Sequence, residues 1–178
     1  AARPQPHGRD TLAALLWPEW EPTRARAALR RVLVTLKNAI GQDSLQLDQG
    51  RICLPATDEL WVDIRRFRRL LAQVHQHRCP RFQQCDECMR ALTAATALYQ
   101  GDFLAGFSLA DTPDFDEWQV FEAESLRREL GDGLQRLSCG FAGLRDFPSA
   151  IRIARRWLAL DTLHEPAHRT LMRLFFLA

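Results

Sequence analysis

Residues 23–40, which read TRARAALRRVLVTLKNAI, constrain the fold most because they combine a helical apolar period with a basic composition that lacks any acid. On a helix of about 3.6 residues per turn, one side is apolar and is predicted to be buried. It consists of Ala25, Leu29, Val32, Leu33, Leu36 and Ile40. The opposite side carries Arg24, Ala27, Arg31, Val34 and Asn38, with Arg30, Thr35 and Lys37 on the flanks. We therefore predict one long helix with a basic outer face.

The segments on either side of this helix also have clear signals. Asp10 suits the N-cap of a short helix, DTLAALLW, which Pro18 ends. Residues 44–54, SLQLDQGRICL, alternate in polarity around a turn at Gly50, as in a β-hairpin. A short helix, a turn, a long basic helix and a hairpin form the second half of a winged helix-turn-helix, with the hairpin as its wing. We expect the earlier strand and first helix of such a domain to come from outside this chain.

From Leu60 onward the sequence is predicted to be helical. Apolar residues at helical spacing run through LWVDIRRFRRLLAQVHQ, and an Ala-rich helix follows as ECMRALTAATALY. A long helix comes next, which we expect to be broken or strained near Gly131 and Gly133. The last two predicted helices carry small residues on their facing sides and are joined by a short polar turn, as in tetratricopeptide-like helix pairs. The predicted fold is mainly α, with a partial winged-helix domain at 1–57 and a tetratricopeptide-like domain at 58–178.

The stretch HQHRCPRFQQCDEC, residues 75–88, contains a candidate metal site. Cys85 and Cys88 have the C-x2-C spacing by which two thiolates bind one zinc ion. His75 and His77 lie just upstream and complete a possible His2Cys2 site, in which Cys79 could replace one histidine. Four protein ligands would make the ion structural. Two alternatives stay open: the five residues are incidental, or the two C-x2-C thiols form a redox pair.

Composition excludes several classes of protein. The sequence has no apolar run of about 18 residues, which a membrane-spanning helix requires, and AARPQPHGRD is not a secretion signal. We therefore expect a cytoplasmic protein with reduced thiols. Asp111, Asp114, Asp116 and Glu117 lie around the start of a predicted helix and are interpreted as capping or solvated residues, not as an acid–base pair. Since the common nucleophile, phosphate-loop and zinc-protease motifs are absent, we expect a non-enzyme.

Several stretches resemble one known family. In chain order they are LAALLWPE, ARAALRRVLVTLKNAIG, LWVDIRRF, ALYQGDFLAGF, FDEWQVFEAESLR and AIRIARRWLALDTLHEPAHRTLMRL. Together they resemble the bacterial transcriptional activator domain proteins of the Streptomyces antibiotic regulatory protein type. The resemblance implies a transcriptional activator that binds double-stranded DNA through a winged helix. Its helical domain would mediate self-association or contact with RNA polymerase.

The same resemblance assigns candidate DNA contacts. Residues 23–40 correspond to the recognition helix and 44–54 to the wing. Arg24, Arg31, Thr35 and Asn38 would face the major groove, and Arg30, Lys37 and Arg51 the phosphates. For each arginine the alternative is a solvated charge or a salt bridge to Glu19 or Glu21. For the whole protein the alternative is a protein-interaction scaffold whose vestigial winged helix does not bind DNA.

Overall fold

The computed structural model describes residues 6–41, 44–48, 50–55, 60–77, 79 and 82–178. The chain divides into two compact units. The first comprises Ala1–Arg65 and Leu104–Glu122, and the second Arg66–Phe103 and Ala123–Ala178. The first unit thus takes in a segment that lies far along the chain. The predicted boundary after residue 57 differs from this division and stays a prediction.

The first unit begins with a short strand and two helices. They are β1 (His7–Gly8), α1 (Arg9–Leu16) and α2 (Pro22–Ile40). Strands β2 (Gln46–Asp48) and β3 (Arg51–Cys53) form the predicted hairpin, in which Gln46 pairs with Cys53 and Gly50 has a positive φ of 79°. The sheet order is β1-β3-β2, and all pairs are antiparallel. Strand β1 was not expected, because two residues are too few to show an alternating pattern.

Helix α2 begins and ends where local chemistry places its ends. The Glu21 carboxylate caps the helix by accepting hydrogen bonds from the backbone N–H of Thr23 at 2.9 Å and of Arg24 at 3.3 Å. These bonds and one from the Thr23 hydroxyl lower the pKa of Glu21. Pro22 occupies the first turn, and Gly41 follows the last turn with a φ of 98°. Glu21, considered above as a salt-bridge partner, therefore serves as the helix cap.

The buried face of α2 is narrower than the sequence predicts. Ala25, Leu29 and Leu33 join a core with Ala13 of α1 and with Ile52 of β3. Val32 and Leu36, which were expected in this face, are 47% and 37% exposed. Residues spaced four apart form a single row along a helix, and this row is the one that contacts α1 and the sheet. The prediction of burial was wrong for Val32 and Leu36 because they lie outside that row.

The second unit is built from helices. These are most of α3 (Asp63–Gln76), α4 (Asp86–Leu98), the greater part of α5 (Pro113–Gly143), α6 (Phe147–Leu158) and α7 (Glu165–Leu177), with a 3-10 turn at Phe82–Gln84. Leucines of α5 at positions 126, 130, 134 and 137 are almost fully buried. Helices α6 and α7 pack through a core that contains Ala150, Ala154, Leu171 and Leu174. Among the described residues, no helix is both long and apolar enough to cross a membrane.

Helix α5 is continuous, so the predicted break near Gly131 and Gly133 was wrong. A Cβ atom at Gly131 would lie 3.4 Å from Nε1 of Trp157, and one at Gly133 would lie 3.3 Å from Leu92. Glycine in a helix costs about 1 kcal/mol relative to alanine, which the packing of a long buried helix can offset. These glycines therefore admit close neighbours and do not interrupt the helix.

Candidate nucleic-acid interface and metal centre

The outer face of α2 is exposed as predicted. Arg24, Arg30, Arg31, Thr35 and Asn38 all lie in contact with solvent, whereas Lys37 is half-buried. Ala27 and Val34 are exposed between them. The face thus places three arginines and two small polar side chains beside an exposed alanine.

Local contacts orient part of this face. The Arg24 guanidinium lies 4.0 Å from the centre of the Trp20 ring, a cation–π contact with the turn that precedes α2. The Thr35 hydroxyl donates to the carbonyl of Arg31 at 3.2 Å. The ion pair that α2 forms with α1 joins Nε of Arg26 to Asp10 at 2.7 Å. Since Arg26 is not among the candidate DNA contacts, this pair leaves their charges unaffected.

Arg51 opens strand β3 immediately after the hairpin turn. Its side chain is exposed, and its backbone pairs with Gly8 of β1 and Asp48 of β2. The preceding carbonyl, of Gly50, accepts a hydrogen bond from the backbone N–H of Arg9 at 3.0 Å. The turn of the hairpin is thus tied to the start of α1, and the backbone that carries the exposed Arg51 side chain is held on both sides.

The structure brings together one histidine and three cysteines where α3 ends and α4 begins. The potential ligand atoms of His77, Cys79, Cys85 and Cys88 all lie within 4.8 Å of one another. Nδ1 of His77 is 3.1 Å from the Cys88 sulfur and 3.4 Å from the Cys85 sulfur. The sulfurs of Cys79 and Cys88 are 3.4 Å apart. A group of this composition can hold a metal ion.

The residues of this cluster differ by one from the His2Cys2 ligand set that was predicted from the sequence. His75, on the last turn of α3, is not among the described residues that form the group, and Cys79 takes its place. The sequence analysis named Cys79 as a possible replacement for one histidine, but the spacing did not distinguish between the two ligand sets. His75 and His77 are two positions apart, so the two side chains of a helix end point in different directions.

The two C-x2-C thiols have contrasting environments. Cys85 is the N-cap of α4, and its sulfur accepts the backbone N–H of Cys88 at 3.5 Å, which lowers the pKa of Cys85. Cys88 is 1% exposed, and burial together with the adjacent sulfurs raises its pKa to about 12. The pKa of Cys85 is therefore lower than that of Cys88, although the two thiols belong to one cluster.

Two residues beside the cluster, Glu87 and Gln73, were missed by the sequence analysis. Nε2 of His77 lies 3.6 Å from a carboxylate oxygen of Glu87, and the other oxygen of Glu87 accepts a hydrogen bond from the side-chain amide of Gln73 at 2.9 Å. Gln73 lies four residues before His77, and Glu87 lies between the two cysteines. The spacing of four residues between Gln73 and His77 was the one available signal for this contact, but such spacing is common among surface residues of helices.

The fold and these sites define a mainly α-helical protein with a small antiparallel sheet and consecutive paired helices. The model of the family called bacterial transcriptional activator domain matches residues 62–176, well over half of the chain. The chain therefore belongs to this family, which confirms the resemblance noted from the sequence. The family is one of transcriptional activators and not of enzymes. No curated protein matches the chain.

Proposed function

We propose that this protein is a DNA-binding transcriptional activator in which α2 enters the major groove. The observation that carries the proposal is the outer face of α2, which is exposed and basic while its opposite face is held in a core. A surface of this kind is attracted to the phosphate backbone, and a helix fits the width of the major groove. Membership of a family of transcriptional activators supports the same reading.

The proposed roles follow from side-chain chemistry. Arg24 and Arg31 can donate two hydrogen bonds to guanine, and Asn38 can bind adenine through its amide. Thr35 is short and lies one turn beyond Arg31, so it allows close approach to base edges. Arg30, Lys37 and Arg51 would contact phosphates, which fixes the position of the helix without reading sequence.

The alternative of a scaffold that does not bind DNA predicts that the basic face is neutralised within the chain. In the part of the chain that the structure describes, the candidate residues Arg30, Arg31 and Lys37 form no ion pair with an acid. The described ion pair on α2 uses Arg26 instead. This distribution of charge favours the DNA-binding reading.

For the helical domain we propose self-association or contact with RNA polymerase. Helix α7 supports this because its outer side is apolar: Met172 and Phe176 are 72% and 88% exposed, and Phe175 and Leu177 are also exposed. Large apolar side chains at this exposure are more typical of interaction surfaces than of solvated helices.

The DNA proposal is tested by fluorescence anisotropy with a labelled random-sequence duplex, using the full-length protein over a series of salt concentrations. Arg31→Ala and Lys37→Ala each remove a positive charge from the DNA-facing surface, so each should weaken binding and reduce the slope of log K against log salt; for Lys37, which is proposed to contact a phosphate, the reduction should be about 0.9. Arg173→Ala, an exposed arginine on α7, is the matched control and should leave the slope unchanged. Equal isotherms for all four proteins across the salt series would overturn the proposal.

The proposal includes one zinc ion as a structural cofactor. The supporting observation is the cluster of one imidazole and three thiols at the junction of α3 and α4. Thiolate and imidazole are the ligands that zinc prefers, and four protein ligands leave no position for a reacting water. The ion would therefore stabilise the fold and would not take part in catalysis.

A further inference from the structure

We infer that His77, Cys79, Cys85 and Cys88 form a Cys3His zinc site in which His77 binds through Nδ1, and that Glu87 positions the histidine from behind. This inference rests on the proposed zinc cofactor. It specifies which atoms bind the ion and names Glu87 as the residue that positions His77. It departs from the His2Cys2 set expected from the sequence, since it replaces His75 with Cys79.

The distances within the cluster are close to those of a tetrahedral site. Zinc bonds of about 2.3 Å to sulfur and about 2.0 Å to nitrogen place neighbouring ligand atoms about 3.5–3.8 Å apart. The measured separations are 3.1 Å and 3.4 Å from Nδ1 of His77 to the sulfurs of Cys88 and Cys85, and 3.4 Å between the sulfurs of Cys79 and Cys88. These three pairs would need to move apart by a few tenths of an ångström around a central cation, and all four ligand atoms already lie within 4.8 Å of one another.

The second ring nitrogen of His77 supports the choice of Nδ1. Nε2 faces the Glu87 carboxylate at 3.6 Å, slightly beyond hydrogen-bond length. Metal-bound histidines usually donate their other ring N–H to a carboxylate or carbonyl, which selects the tautomer and increases the basicity of the ligand. The Gln73 amide holds the Glu87 carboxylate from its other oxygen at 2.9 Å. Glu87 is thus placed as a positioning residue, held by Gln73 through one oxygen and facing His77 with the other.

The site is placed to join two helices. Cys85 caps α4 and Cys88 lies in its first turn, while His77 and Cys79 follow the last turn of α3. Three thiolates and one divalent cation carry a net charge of −1, which the positive end of the α4 dipole stabilises. The backbone N–H of Cys88 already donates to the Cys85 sulfur at 3.5 Å. Zinc binding therefore ties the end of α3 to the start of α4.

The ligand set is tested by measuring zinc in protein purified without chelator and under reducing conditions. We expect one equivalent in the wild type, in His75→Ala and in Cys139→Ser, which alters an exposed cysteine outside the cluster. Cys79→Ser and His77→Ala should each retain far less than one equivalent of zinc. Equal losses in His75→Ala and His77→Ala, or full retention in Cys79→Ser, would overturn the ligand set while leaving a zinc cofactor in place. A wild type without zinc would overturn the cofactor proposal as well.

The role of Glu87 is tested by competition with a chromophoric zinc chelator. Glu87→Gln should lower zinc affinity about 10- to 100-fold, the usual effect of losing such an outer residue. Asp86→Asn removes the same charge from the same helical turn and should change the affinity less than threefold. The cobalt-substituted Glu87→Gln protein should keep the thiolate-to-metal absorption of the wild type, because the ligands are unchanged. Equal affinities for the Glu87 and Asp86 variants would refute the positioning role.

Both experiments are independent of DNA. If the salt dependence of DNA binding fails to respond to Arg31 and Lys37, the zinc results are unaffected. The two proposals can therefore fail separately.

Discussion

Arg156 of α6 supplies a hydrogen-bonding cap to the end of α4, and its removal should weaken the second unit. Its Nη2 atom donates to the backbone carbonyls of Thr96 and Tyr99, both at 2.7 Å. Helix α4 ends at Leu98, so these carbonyls belong to its last turn and to its C-cap, where intrahelical partners are missing. The half-buried guanidinium also places a positive charge at the negative end of the helix dipole.

The magnitude follows from these contacts. A hydrogen bond to a charged group contributes about 1.5–3 kcal/mol, and two bonds made by one nitrogen are less than additive. We therefore expect Arg156→Ala to lower the free energy of unfolding by about 2–4 kcal/mol. For a chain of this size each kcal/mol corresponds to about 2–4 °C in Tm, so the predicted decrease is about 4–16 °C. Arg156→Lys keeps the charge but not the fork of donors, and it should recover part of the loss.

The assay is urea and thermal unfolding followed by far-UV circular dichroism, with amide hydrogen exchange as a local readout for the last turn of α4. Arg155→Ala is the matched control: its guanidinium lies 5.7 Å from the Phe175 ring, a contact that contributes below about 1 kcal/mol at an exposed site. If Arg156→Ala is no less stable than Arg155→Ala, the capping argument is wrong.

Two further predictions concern packing and charge. Gly140→Ala should destabilise the protein by about 1–3 kcal/mol in urea unfolding, because its Cβ would lie 2.6 Å from the sulfur of Met89. Gly101→Ala, which meets no atom within 4 Å, should be nearly neutral, and equal values would contradict the packing argument. The ion pair with Arg127, at 2.6 Å, lowers the pKa of Asp102. Its contribution is therefore present above the ordinary pKa of an aspartate and is lost as the pH falls through the lowered value. Asp102→Asn should accordingly be less stable than the wild type at neutral pH and should converge with it in acid; a gap independent of pH would refute this.

The candidate metal site in the second unit shows how much of such a site sequence spacing can predict. The sequence predicted Cys85, Cys88 and His77 as candidate ligands from local spacing, and the structure brings these three residues together. The choice between His75 and Cys79 depends on which of the two side chains the fold places beside Cys85 and Cys88, which spacing does not specify. Glu87 was not identified from the sequence, because its contact with His77 is formed only in the tertiary structure.

What the sequence alone determined about this protein is local in origin. The apolar row Ala25, Leu29 and Leu33, the basic outer face and the ends of α2 at Pro22 and Gly41 follow from helical period and cap chemistry, and the hairpin follows from alternation around Gly50. These features depend on interactions between residues a few positions apart, so they can be predicted from the sequence.

Tertiary structure decided the rest, because packing acts between residues distant in the chain. It left Val32 and Leu36 exposed, although their position on the helical wheel is apolar. It kept α5 continuous through Gly131, whose missing side chain makes room for Trp157. It also brought Cys79 to the sulfur of Cys88, nine residues away. In each case the outcome depends on which contacts a residue makes with other segments of the chain, and a pattern within one segment does not specify those contacts.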